Sequence, residues 1–264
     1  MKKEIYFAFY AIKKNIKSSA ELRTSFLTNI IGMAINNTVF IAIWVFFVNS
    51  VGVINGWTAA DIIGLLGFNA LTYGIVFSGT AGLRRMADYV AGGGFDRFML
   101  SPKNLLVRVA TAWFNVSAIG DIVFGLACLV IYFVLIKVSI LQIVLAGVLV
   151  CISVLMFLSA VITVYSVSFL FIDAHSVTNG LFELFMTPSL FEGGAFQGIT
   201  RFVFTFLIPS LVVASLPVEI LKNISFEKLG VILLVAVAWF FLSVKLFNRG
   251  VRRYESSNFM TFGS

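Results

Sequence analysis

The sequence predicts an all-α polytopic membrane protein: six transmembrane helices, an amphipathic interfacial helix at the N-terminus, and a re-entrant element before the last span. Three observations carry that reading. The chain is 60% hydrophobic and 12% charged, with a mean hydropathy of +1.02, whereas soluble domains carry about 25% charged residues. Its apolar runs reach the roughly 20 residues that a helix needs to cross a hydrocarbon core of about 30 Å. Its basic residues fall in short clusters between those runs, the pattern of the inside-positive bias. The net charge of +7 is therefore a topology signal, and nucleic acid is not an expected partner.

Residues 1–23 place Lys2, Lys3, Lys13, Lys14, Lys17 and Arg23 around the apolar patch IYFAFYAI. That patch is too short to span, so a helix lying at the headgroups is expected. It lacks a small-residue cleavage site, so no cleavable signal peptide is expected. The first span, about Ser25–Val48, carries Asn29, Asn36 and Asn37. Amides in hydrocarbon need partners, which makes them packing groups or pathway lining. Asn49–Ala60 is an uncharged outer turn with Trp57 as an interface anchor. The second span follows at Asp61–Thr80, with Asn69 near its middle.

The stretch Ala81–Asn104 is the long interval between apolar runs that is both charged and patterned. Arg84, Arg85, Arg97 and Lys103 face Asp88 and Asp96 across the triple glycine Gly92–Gly94. Leu83–Ala91 and Phe95–Leu100 can form short helices with the glycines as a flexible break between them. Ser101 and Pro102 fit the N-cap and first position of the next helix. The third span, Leu106–Ile136, contains Asp121. A carboxylate inside an apolar run marks a candidate functional site; pairing with another helix, or a bound proton, is the structural alternative. Lys137–Ser139 is a tight outer turn, and the fourth span, Ile140–Leu170, ends near Asp173 and His175, a boundary histidine with a structural role.

The interval 174–221 has two semi-apolar pieces. Ser176–Phe191 is interrupted by Glu183 and Pro188, and Phe202–Leu216 by Pro209. The last span, Leu229–Phe247, precedes Arg249, Arg252 and Arg253, which belong on the same side as the N-terminus. The interval must then cross an odd number of times, so one piece crosses and the other is re-entrant or interfacial. Hydropathy selects the second as the crossing. This layout places fifteen of the nineteen Lys and Arg residues on one side. Cys128 and Cys151 lie inside apolar runs, where no disulfide framework is indicated.

The basic amphipathic N-terminus, the loop ending GGGFDRFMLSPKNLLVRV, and the segments DAHSVTNGLFELF and GITRFVFTFLIPSLVVASLPVEIL together resemble the membrane permeases of type-2 ATP-binding-cassette (ABC) transporters, in the branch of small six-span bacterial exporters. The resemblance extends over essentially the whole chain. It implies one permease domain over 1–264, with an interfacial helix at 1–23, a cytoplasmic coupling loop at 81–104 and an outer re-entrant region at 192–228. Ser176–Phe191 then becomes the fifth span, against the hydropathy choice. It implies ATPase coupling through Arg84, Arg85, Asp88, Asp96 and Arg97, a dimer with the same or a related chain, two ATPase subunits, and location in the bacterial cytoplasmic membrane with both termini inside.

Asn36, Asn37, Asn69, Asp121 and Glu183 are the candidates for lining a substrate path. Phe-rich walls with a few amides suit an amphipathic or hydrophobic substrate such as a drug, a lipid-like molecule or a peptide. No GxxxxGK[ST], HExxH or Ser/His/Asp grouping is present, so no catalytic residue, metal or cofactor is expected in this chain. ATP and Mg would be bound by the partner ATPase. The alternative reading is a secondary transporter or channel that works without an ATPase, with Asp121 and Glu183 as ion-coupling groups.

Overall fold

The computed structural model describes residues 2–53, 55–171 and 173–254. Residue 1 and the tail from 255, which the expected domain and its cytoplasmic termini include, lie outside the described residues. The described chain is helical throughout: α1 (Lys2–Glu21), α2 (Arg23–Val51), α3 (Ala59–Thr80), α4 (Met86–Ala91), α5 (Asp96–Met99), α6 (Leu105–Ala110), α7 (Ser117–Ile136), α8 (Ile140–Ser166), α9 (Ala174–Ser189), α10 (Gly198–Phe202), α11 (Ser215–Lys222) and α12 (Phe226–Arg253).

Among the described residues five helices are long and apolar enough to cross a membrane, and α9 completes the expected six passes. At 16 residues α9 rises only about 24 Å at 1.5 Å per residue. The chain from Leu190 continues its path to the opposite end, where Asn55 donates to Glu192 at 2.8 Å.

The centre of the bundle is α3, buried along most of its length. A capping box starts it: Thr58 N–H and Oγ1 donate to Asp61 Oδ2, and Asp61 N–H returns to Thr58 Oγ1. Its main neighbour is α7, and the two approach through small residues. A Cβ on Gly125 would fall on the backbone of Leu71, and one on Gly74 would meet Ala118 and Ile122. Such contact is how helices associate where no hydrophobic driving force separates protein from lipid. Conversely, α2 keeps its most apolar window unburied, with Leu27, Ile31, Ile35, Ile43 and Phe46 exposed.

Helix α1 turns one side to the bundle at a spacing of three to four residues, through Phe7, Ile12, Asn15 and Ile16, while Lys13, Lys14 and Lys17 are exposed. It is pinned across the end of the bundle: Asn15 donates to Thr111 O at 2.9 Å, and Asn104 N–H donates to Glu4 at 3.2 Å.

Three expectations are corrected. The third span is not one continuous helix from Leu106. It breaks between α6 and α7, where Asn115 Oδ1 captures Ser117 N–H and Oγ, and Gly82 packs on the carbonyls of Val109 and Ala110. The helix before that break is capped by Asn104, which accepts from Val107 N–H at 3.1 Å, rather than by Ser101 with Pro102 behind it. Trp57 is 5% exposed and belongs to the core, so it is no lipid-facing anchor.

Of the two readings of the fifth crossing, the structure goes against the one hydropathy selects: Phe202–Leu216 does not cross. The chain descends through α10 and a π-helical turn at Val203–Leu207, breaks at Ile208–Pro209, and returns through α11. Its deepest part meets the middles of long helices: Trp239 donates to Phe206 O at 2.9 Å, and Ser153 to Val212 O at 3.5 Å. Both limbs end at the same side, tied by Arg201–Glu219 at 2.6 Å. Hydropathy cannot separate this hairpin from a span, because Leu211–Ala214 is fully buried in protein. Burial is also what permits irregular backbone at that depth.

Candidate functional site

Two places gather the residues singled out in the sequence. The first is the end of the bundle formed by residues 81–110. It is a packed unit rather than a flexible linker. Leu83, Met86, Phe95 and Phe98 are buried in the same core cluster as Phe157, Tyr165 and Phe247. The glycine segment is an ordered turn: Gly92 N–H donates to Asp88 O and Phe95 N–H to Tyr89 O at 2.9 Å. Gly93 has φ +66°, which a side chain there would disfavour.

Aromatic rings, rather than Asp88, hold the loop arginines. Arg85 lies 4.1 Å from the ring centre of Trp113, and Arg97 lies over Tyr89 and Phe98 at 5.0 and 4.8 Å. Arg84 sits over Phe77 and Phe182 and donates to Tyr73 Oη at 3.1 Å. The rings leave these cations exposed while fixing their direction. Asp88 is exposed and Asp96 half-buried in the same unit. Arg108, which sequence reasoning counted but did not single out, ties α6 to α5 through the carbonyls of Phe98 and Arg97. The apolar tip Met99–Leu100 projects beside Arg97, with Leu100 86% exposed.

The second place is a cavity of about 220 Å³ between α2, α3, α7 and α9. Asn37, Asn69 and Asp121, which lie on three different helices, all line it. Asn37 Nδ2 donates to Asp121 Oδ1 at 2.7 Å. Asn69 Nδ2 donates to Ser189 O at 3.1 Å and to its Oγ at 2.7 Å, joining the middle of α3 to the end of α9. Asn36 and Glu183 are not brought to this cavity and lie exposed on α2 and α9. Two residues that join these groups went unnoticed in the sequence. Ser189 carried no signal. Tyr73 did, since it lies four residues after Asn69 and so on the same helix face. It lines the cavity and also receives Arg84, connecting the two places.

At the opposite end Lys222 donates to Asp61 at 2.7 Å and to Gly56 O at 2.6 Å, fastening the returning limb to the turn before α3. Glu219 holds Arg201 and Lys228. His175 meets Asn179 at 3.1 Å on the exposed side of α9. Among the described residues no group of three or more His, Cys, Asp or Glu side chains is placed to hold a metal ion.

No curated protein and no solved structure shows a significant match to the chain. A family model described as ABC-2 family transporter protein matches residues 33–258, which takes in most of α2, all of α3 to α12, the 81–110 unit and the cavity. The chain therefore belongs to the ABC-2 transporter family, as a multi-pass membrane permease of a system whose family implies an ATPase partner.

Proposed function

We propose that this chain is the permease subunit of a bacterial ABC exporter that moves an amphipathic or hydrophobic molecule. Two permeases, identical or related, form the path between them in the cytoplasmic membrane, and two ATPase subunits bind ATP and Mg below. The observation that carries the reading is the family match over 33–258 joined to the packed 81–110 unit. That unit is buried enough to transmit displacement, and it presents Arg85, Arg97 and the Met99–Leu100 tip outward. Exposed apolar residues beside fixed cations suit a protein partner.

Both termini and this unit face the cytoplasm, in keeping with the side that holds most basic residues; the 192–228 hairpin faces outward. Asp88 and Asp96 lie in the docking unit with the arginines. Nucleotide can drive the permease between inward and outward states only by binding those states differently. A rigid docking unit supplies the mechanical link. Arg84 is exposed but bonded to Tyr73, which lines the cavity, so its role in coupling is transmission rather than docking.

Co-expression and co-purification with a candidate ABC ATPase subunit test the proposal. Arg85→Glu with Arg97→Glu is expected to abolish association. Arg84→Gln is expected to preserve association while lowering ATP-driven transport severalfold. Normal association and transport in the double reversal removes the docking role, and uphill transport by the purified chain alone removes the permease reading.

A further inference from the structure

Asp121 is 2% exposed and lines the cavity of about 220 Å³. Its Oδ1 accepts from Asn37 at 2.7 Å. Its Oδ2 is buried and has no hydrogen-bond partner. No basic side chain among the described residues pairs with it, and Asn69, across the cavity, directs its amide to Ser189. The remaining walls include Met33, Phe40, Leu66, Phe124 and Leu190.

A carboxylate oxygen buried without a partner is costly, and an ionisable group kept at membrane depth marks a place where a charge or proton is handled. A single carboxylate with one amide is too poor in oxygen ligands for a dehydrated hard cation. An organic ammonium needs less: one charge-assisted hydrogen bond to the free oxygen, with its carbon skeleton against rings and thioethers. Aromatic faces beside the carboxylate add attraction for the same charge.

We propose that Asp121 anchors the cationic head of an amphipathic amine in this cavity, so that the site selects such amines over their neutral analogues. The proposal deepens the permease reading by naming the substrate class, and it rests on that reading for the amine being cargo. Asn37 is a positioning residue: it holds the carboxylate through Oδ1 and leaves Oδ2, buried in the cavity wall, as the oxygen an ammonium would pair with.

The test uses the full chain in phosphatidylcholine nanodiscs. The probes are dansylcadaverine, a primary ammonium on an apolar fluorophore, and its neutral N-acetyl derivative. The amine is expected to bind roughly tenfold tighter or more than the acetylated probe, the scale of one charge-assisted hydrogen bond. In Asp121→Asn the ratio is expected to fall to about one, and in Asp121→Glu the preference is expected to persist. Equal affinities in the unaltered chain overturn the proposal, as does an undiminished preference in Asp121→Asn, which would leave the carboxyl a packing group. Should Asp121→Asn fail to fold, Ala70→Phe fills the cavity with the carboxylate in place; unchanged amine binding there also overturns it. No ATPase enters these measurements, so their failure is distinct from failure of the co-purification experiment.

Discussion

Asn69 and Asn37 show what an amide accomplishes inside an apolar bundle. Each finds a single strong partner on another helix, Ser189 for the first and Asp121 for the second. Two such bonds set how α3 meets α9 and how α2 meets α7. Removing one side of a buried pair costs more than the pair contributes, because the abandoned group has no water to turn to. Ser189 Oγ keeps a bond to Met186 O at 2.7 Å, which limits that penalty here. Asn69→Leu is expected to destabilise the chain by about 1 kcal/mol, read as a lower melting temperature in detergent. An unchanged melting temperature would show that the α3–α9 contact rests on packing alone.

Among the elements, the α3–α7 pair sets the core and leaves little room for change. Gly125 sits against the backbone of Leu71, and backbone does not yield as a flexible side chain would. Overpacking in cores typically costs about 1–3 kcal/mol, and a clash with main chain belongs at the upper end of that range. Gly125→Leu is therefore expected to lose the monodisperse peak in size-exclusion chromatography, while Gly147→Leu, whose Cβ would meet nothing, keeps it. The hairpin of α10 and α11 follows a different logic. Its backbone departs from regular helix at Ile208–Pro209, and on either side of that break the carbonyls of Phe206 and Val212 accept from Trp239 and Ser153. It can therefore reach mid-depth without crossing.

At the scale of the whole molecule, the hairpin decides topology. One crossing by α9, with the 198–222 segment returning to its starting side, places the 81–110 unit and the end of α12 together at one face. A single cysteine at Arg97 and another at Ile199, each in a background with Cys128 and Cys151 replaced, test the orientation. A membrane-impermeant maleimide is expected to label position 199, 82% exposed, in intact cells, and position 97 only after permeabilisation. The reverse pattern would place the docking unit outside the cell and end the ATPase reading.

Class and five of the spans were written in the sequence, because hydropathy is a property of runs and needs no neighbours; the odd crossing between the fourth and last spans followed from the side of the basic clusters. The clusters Arg84–Arg85 and Arg249–Arg253 likewise declared their common side without any contact being known. Asp121 announced itself by its chemistry, as any carboxylate in hydrocarbon must. Its setting did not: that Asn37 and Asn69 share a cavity with it, while Asn36 and Glu183 do not, depends on which faces of α2, α3, α7 and α9 meet. The fate of Phe202–Leu216 was hidden from hydropathy, though implied by the family resemblance, since a segment buried in protein and one exposed to lipid carry the same apolar residues. Only tertiary packing, which settles what each backbone group and each carboxylate oxygen can reach, distinguishes a span from a hairpin and a packing residue from a site.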